Sequence, residues 1–160
     1  LYRGANVFSV MGQGKAKSEL LTAVNFYAAN VSATKGSNYI VKIVRHLPGK
    51  SDPESGGEVV EEAITTGKIY FDGYYTIELA EPVKLEQGEI FSVQVEFDNA
   101  NLARESMANL NNEVIFKSVM HEGESFYKLS EYGGWNDLYD SQSPYTYQRN
   151  LLIGAITEDW

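Results

Sequence analysis

A loop rich in aromatic residues near the carboxyl end of the chain is the stretch best suited to bind a ligand. The loop runs from Glu131 to Gln148, and its polar side chains include Asn136, Asp137 and Gln142. Exposed aromatic rings can stack on the apolar faces of pyranose rings, while polar neighbours bond the sugar hydroxyls. The predicted carbohydrate-binding residues are Tyr132, Trp135, Asn136, Tyr139, Tyr145 and Tyr147. The alternative is that Trp135 and some of the tyrosines cap the open end of a packed domain.

Acidic and amide side chains recur in several loops and could together bind calcium. A Ca²⁺ ion takes six or more oxygen ligands from carboxylates, amide side chains and carbonyl groups. The sequence has no EF-hand pattern, so spacing does not choose among the candidates. These are Asp72, Asp98, Asn99, Asn101, Glu113, Asp137 and Asp140. We predict a structural Ca²⁺ site that includes Asp98, Glu113 and Asp137, and the alternative is a domain without a metal.

Two acidic residues near the middle of the chain have a spacing that some glycosidases use. In an extended strand, Glu96 and Asp98 would share one face, separated by roughly 7 Å, which overlaps the separation of paired catalytic carboxylates. The third acid of the pattern is missing, because Asn101 follows instead. A solvated strand face is therefore the favoured interpretation, and a β-sandwich glycosidase is kept as a third hypothesis.

Other catalytic motifs are absent or incomplete in the sequence. The segment Gly12-Gln13-Gly14-Lys15 lacks the first glycine of a phosphate loop, and Ala16 replaces the residue that would hold magnesium. The two histidines, His46 and His121, have no metal-ligand spacing, and no serine lies in a Gly-x-Ser-x-Gly elbow. These segments therefore give no catalytic assignment.

Composition excludes several classes of partner. The net charge is −9, and the 13 Lys and Arg residues are scattered, which argues against nucleic acid and against an anionic membrane surface. No apolar run approaches the roughly 20 residues of a membrane-spanning helix. The chain has no cysteine, so disulfides, Cys-ligated zinc, iron–sulfur clusters and thiol nucleophiles are excluded. Because the chain opens abruptly at Leu1, we expect a fragment of a longer protein.

The strongest periodic signal runs from Gly73 to Phe97 and predicts two strands. In the second strand, Phe91, Val93, Val95 and Phe97 alternate with Ser92, Gln94 and Glu96, a pattern typical of a strand with one buried and one wet face. In the first strand, Tyr75, Ile77 and Leu79 are predicted to face inward. That strand is expected to end at Glu81-Pro82, because proline cannot donate to a sheet ladder.

The rest of the chain predicts more short strands and little helix. Strands are expected near residues 6–10, 20–28, 38–47, 58–71, 114–119 and 151–157, and a short helix is expected over 98–110. The stretch Pro48 to Gly57 is predicted to be a loop that offers no face to a core. About nine short strands indicate an all-β fold, an antiparallel β-sandwich, formed by residues 1–160 as a single domain.

Several blocks of the sequence together resemble a known family. They are Val24 to Tyr27, Asn38 to Ile43, Gly73 to Leu79 with Pro82-Val83 and Leu85, Gly88 to Val93, Gly123-Glu124-Ser125-Phe126, and Trp135 with Asp137. In this order they resemble the lectin-like domain attached to bacterial papain-like cysteine peptidases of cell surfaces. The resemblance extends from about Asn6 to Thr157, and the segment after Asp98 departs from it.

The resemblance implies a jelly-roll-like lectin-type sandwich outside the bacterial cell, on the surface or secreted. It further implies an accessory module next to a peptidase domain, binding carbohydrate or cell-wall polymer, with calcium in some members. A structural spacer that packs on the catalytic domain without binding sugar is the alternative function. The catalytic Cys and His of the peptidase are not among these 160 residues, so the resemblance implies that the chain itself is not an enzyme.

Overall fold

The alternating run that ends at Phe97 forms the centre of one of the two larger antiparallel sheets. The computed structural model describes residues 3–11, 17–104, 121–139 and 150–160, together with the backbone of 109–110 and 113–114. In chain order the strands are β1 Arg3–Ser9, β2 Ser18–Ala29, β3 Ser37–Arg45, β4 Glu58–Val59, β5 Thr65–Ile69, β6 Gly73–Glu86, β7 Ile90–Phe97, β8 Asn101–Leu102, β9 Asn109–Leu110, β10 Glu113–Val114, β11 Ser125–Lys128, β12 Asn136–Asp137 and β13 Ile153–Asp159. A 3-10 helix, Glu61–Ala63, lies between β4 and β5.

The first sheet has the order β12-β11-β1-β7-β3-β4, and β5 pairs along β3 beside β4. The second sheet has the order β13-β2-β6, and β8 pairs with the end of β2. β9 and β10 form a separate two-stranded ladder. The predicted all-β antiparallel sandwich is confirmed, and the arrangement is compatible with a jelly roll. In the part of the chain that the structure describes, no helix is long and apolar enough to cross a membrane.

The core lies between the two sheets and is centred on Phe26 of β2. Its ring lies 5.2 Å from that of Phe97 in the opposite sheet, centroid to centroid, and 5.7 Å from that of Tyr39. Val24 and Phe26 are fully buried, whereas the alternate residues Asn25 and Tyr27 are only partly buried. Burying such apolar side chains stabilises a fold by roughly 1.5–3 kcal/mol each. The segment is a strand, β2, so the predicted preference for strand over helix is confirmed.

β6 does not end at Pro82, where the proline predicted a stop, but continues to Glu86. The register between β2 and β6 shifts here, so that the residues from Leu79 to Pro82 lie opposite Thr22 alone. Proline is tolerated at such a bulge because a bulge leaves backbone groups outside the ladder. Beyond the bulge, Val83 and Leu85 again face the core.

The predicted wet face of β7 is also wrong, because the loop from Pro48 to Gly57 covers it. Ser92 and Gln94 are only 0% and 2% exposed. The Ser92 hydroxyl donates to the carbonyl oxygen of Pro53 at 2.6 Å, and the Gln94 amide donates to the same oxygen at 3.4 Å. Pro53 is itself fully buried. The loop thus does contribute to a core, contrary to the prediction.

A second, smaller apolar cluster lies on this outer face of the first sheet. Its buried members are Val7, Val44, Leu47 and Phe126, and Val59, Ile90 and Trp135 pack against them. Asp52 shapes the covering loop, since one of its carboxylate oxygens accepts the N–H groups of Glu54 and Ser55 at 2.8 and 2.7 Å. The first sheet is therefore buried on both sides along β7.

The helix predicted over residues 98–110 is absent from the described part of that segment. The Asp98 carboxylate accepts the backbone N–H of Asn38 at 2.8 Å, which ties it to β3 and not to a helix start. Leu102 is buried in β8, where it pairs with Ala28 of β2. Asn109–Leu110 is a strand. Pairing to an available sheet edge prevails here over the weak helical signal. The segment Gly12 to Lys15 and most of the strand predicted over 114–119 lie outside the described residues.

Candidate functional site

The predicted aromatic loop separates into exposed and packed residues. Tyr132 is 96% exposed, and Asn136 is exposed within β12. Trp135 is partly buried against the second cluster, and its indole N–H donates to Glu54 Oε2 at 2.8 Å. The ammonium of Lys128 lies 5.2 Å from the centre of the Trp135 ring. Trp135 thus holds the covering loop, while Tyr132 is free to meet a ligand.

The remaining predicted residues of this loop have local structural contacts or lie outside the described residues. Asp137 accepts the N–H of Gly123 at 2.8 Å and that of Tyr139 at 2.9 Å. Tyr139 packs against the main core. Tyr145 and Tyr147 lie outside the described residues, so the proposed role of the whole loop in binding stays a prediction.

The predicted metal ligands are not brought together in the described residues. No group of three or more His, Asp or Glu side chains within the described ranges could hold a metal ion. Asp98 is held by Asn38 and Ser37, and the hydrogen bond from the Asn38 side chain is the main cause that lowers the pKa of Asp98. The side chain of Glu113 lies outside the described residues, as does Asp140. The calcium prediction stays untested.

The two carboxylates considered for glycoside hydrolysis are both engaged by neighbouring side chains. Glu96 forms an ion pair with Arg3, 2.6 Å between Oε2 and Nη2. Asp98 follows the last residue of β7 and accepts the Asn38 amide at 2.6 Å. Each acid therefore joins neighbouring strands.

A different feature, a cleft of about 340 Å³, opens where β1 of the first sheet meets the residues leading into β13. Its lining comes from both sheets and from the turn before β11. The side chains that give it chemical character are Asn6, Asn25, Tyr74, Glu124, Ser125 and Asn150. Asn6 and Ser125 are buried in its floor, and the more accessible polar side chains of Asn25, Tyr74, Glu124 and Asn150 suit a ligand rich in hydroxyl groups.

Buried hydrogen bonds hold the floor of this cleft. The Asn6 amide donates to the carbonyl oxygens of Leu151 and Ile153, both at 2.9 Å. The Ser125 hydroxyl donates to Asn6 Oδ1 at 2.7 Å and accepts the N–H of Leu151 at 3.2 Å. Because a buried polar group is costly to leave unpaired, this network fixes the chain from β1 to the start of β13. The cleft is preformed.

The outer side of the cleft presents an aromatic ring and an amide. Tyr74 of β6 is 73% exposed, and its ring meets Tyr27 edge to face at 4.8 Å. Asn25 pairs across the ladder with Gly154, where any Cβ would overlap the Asn25 amide oxygen. The glycine thus makes room for the Asn25 side chain. An accessible ring held by a neighbour, next to an amide, is an arrangement that can stack on and bond a sugar.

Glu124 brings a charge to the inner end of the cleft. Its carboxylate accepts the backbone N–H of His121 at 2.9 Å, and its other oxygen lies 2.9 Å from His121 Nδ1. Burial alone would raise the pKa of Glu124, but these bonds and one with Asn150 outweigh it and lower the pKa. Glu124 is therefore ionised at neutral pH.

Comparison with known families decides the classification. The model of a family described as the lectin-like domain matches residues 2–157. The chain belongs to the lectin-like domain family. No curated protein matches it in a sequence search. For this lectin-like domain, the family supports a binding module in general, and family members are generally not catalytic.

Sequence reasoning missed the cleft of this lectin-like domain because its residues are far apart in the chain. Asn6, Asn25, Tyr74 and Glu124 come from four separate segments. A signal did exist, since three blocks that carry the family resemblance, Val24 to Tyr27, Gly73 to Leu79 and Gly123 to Phe126, each contribute a residue to the cleft. Without a topology, nothing showed that these blocks meet.

Proposed function

We propose that this lectin-like domain is a non-catalytic module that binds carbohydrate or cell-wall polymer in the cleft between β1 and β13. The observation that carries the proposal is the exposed Tyr74 ring beside the Asn25 amide at a preformed polar cleft. The volume of about 340 Å³ falls in the range of small-molecule sites, roughly 300–1,000 Å³. Because the floor is already hydrogen-bonded, binding would cost little reorganisation.

The proposed setting is the outside of a bacterial cell, where the module would hold a neighbouring papain-like peptidase against the wall. The resemblance described above supports this setting. The ion pair of Glu96 with Arg3 and the contacts of Asp98 with Asn38 speak against the glycosidase hypothesis, because both acids have structural partners.

A structural spacer is the second candidate function, and one surface favours it. Phe71 in the turn before β6 is 69% exposed, and Tyr70 beside it is also exposed. The turn is held in place, since Asp72 accepts the N–H of Val31 at 2.7 Å and Phe71 O accepts the Tyr75 hydroxyl at 2.6 Å. A rigid turn that exposes apolar rings can pack against another domain.

Retention on an immobilised neutral cell-wall polysaccharide tests the proposal. We expect the intact domain to be retained and Tyr74→Ala to bind about tenfold more weakly, a loss of about 1.4 kcal/mol. The matched control is Tyr132→Ala, which removes a still more exposed ring outside the cleft. If Tyr132→Ala weakened retention and Tyr74→Ala did not, the binding site would be the aromatic loop and not the cleft. No retention of the intact domain on any glycan would reject the proposal and leave the spacer.

A further inference from the structure

One negatively charged residue lines the wall of the cleft. Among the described residues that line it, Glu124 is the charged side chain, and the others are amide, hydroxyl, aromatic, aliphatic or glycine. The Glu124 side chain is about one-third exposed, at 35%, and the residue lines the cleft. A ligand seated in the cleft would therefore lie close to a negative charge.

The position of this charge is fixed by its partners. His121 contacts both carboxylate oxygens of Glu124, and the Glu124 carbonyl oxygen accepts the N–H of Val7 at 2.9 Å. The carboxylate is thus anchored from its own turn and from β1. A fixed charge cannot swing away to accommodate a ligand of the same sign, so a ligand of that sign is repelled.

We propose that the cleft accepts uncharged saccharides and rejects those that carry carboxylate or phosphate groups, with Glu124 as the specificity-determining residue. This inference rests on the proposed function. Two like charges about 4 Å apart repel by roughly 1 kcal/mol even in water, which is about a fivefold loss of affinity. A cleft partly shielded from solvent increases this discrimination. The net charge of −9 repels anionic polymers over longer distances as well.

Calorimetric titration with two matched oligosaccharides tests the inference. One is built of neutral hexoses, and the other has the same length and linkage but is built of uronic acids. We expect the intact domain to bind the neutral ligand at least fivefold more tightly. Glu124→Gln keeps an oxygen acceptor for His121 but removes the charge, so the preference should shrink to less than twofold. Glu124→Asp keeps the charge and should retain the preference.

The control is Glu122→Gln, which removes an equal charge from an exposed position two residues away that does not line the cleft. Glu122→Gln and Glu124→Gln change the net charge equally. Because Glu122 does not line the cleft, Glu122→Gln should leave the preference for the neutral ligand unchanged. Thermal melts of each variant establish that it is folded. Equal affinity for the two ligands, or tighter binding of the uronic acid chain, overturns the inference while leaving carbohydrate binding intact. Failure to bind either ligand rejects the proposed function itself.

Discussion

The outer faces of the two sheets differ in whether other residues cover them. On the first sheet, the loop from Pro48 to Gly57 and the Trp135 ring cover the face, and a second apolar cluster forms beneath them. On the second sheet, Tyr27, Tyr74 and Asn25 stay accessible beside the cleft. The difference teaches that an aromatic residue of a strand becomes structural or available for binding according to what covers its face.

The largest expected effect comes from the covered face. Phe126 is 1% exposed in the second cluster, so Phe126→Ala should lower the free energy of unfolding by about 3–5 kcal/mol through lost burial and a cavity. The matched control is Phe71→Ala, at an exposed ring, which should change it by less than about 0.5 kcal/mol. Urea denaturation measures both. A loss below about 1 kcal/mol for Phe126→Ala would mean that the covered face is not a core.

The main sandwich is predictable from sequence because its signal is local. The alternation of Phe91, Val93, Val95 and Phe97 predicts a buried face, the residues of β2 predict a strand, and the structure confirms both. The covered outer face is not predictable. Ser92 and Gln94 are polar, and they are buried because a distant carbonyl oxygen, that of Pro53, satisfies them. The alternating pattern shows only which side chains are polar. It does not show that a residue distant in the chain will cover them and bond to them.

The candidate site is less predictable than the fold for a related reason. The aromatic loop stands out because its rings are close in sequence, yet Trp135 and Tyr139 have packing contacts. Tyr74 does not stand out, because it has the pattern of an ordinary outward residue of a strand. Its role depends on Asn25, Glu124 and the start of β13, which only the topology brings beside it.

A smaller effect is expected where the chain crosses from the second sheet to the first. The Glu89 side chain is 4% exposed, and its carboxylate accepts Arg45 Nε at 2.8 Å and the Glu86 N–H at 2.9 Å. Glu89→Gln should lower the free energy of unfolding by about 1–3 kcal/mol, less than for a fully buried pair because Arg45 remains partly exposed. The control is Glu81→Gln, at an exposed position of β6, with less than about 0.5 kcal/mol expected.

The same group gives a pH dependence with a defined sign. Burial would raise the pKa of Glu89, but the Arg45 hydrogen bond and the Glu86 N–H outweigh it and lower the pKa. The stabilisation is therefore present above the pKa of an unfolded glutamate and is lost as the pH falls through the lowered folded value. We expect the free energy of unfolding to fall less between neutral and acid pH in Glu89→Gln than in the intact domain. Identical pH profiles for the intact domain and Glu89→Gln would contradict the stabilising role assigned to the Glu89 carboxylate.

The smallest effect, and the most direct comparison of the two faces, concerns Trp135 and Tyr74. Trp135→Leu keeps apolar bulk over the second cluster but removes the hydrogen bond to Glu54, so we expect a loss of about 1 kcal/mol in stability. Glu54→Gln alone and combined with Trp135→Leu should give non-additive losses, since the two residues are in contact. Retention on glycan should be unchanged by Trp135→Leu, whereas Tyr74→Ala should weaken retention and leave stability nearly unchanged. If Trp135→Leu abolished retention in a domain that still melts cooperatively, the covered face would be a binding face too, and coverage would not decide the role of a ring.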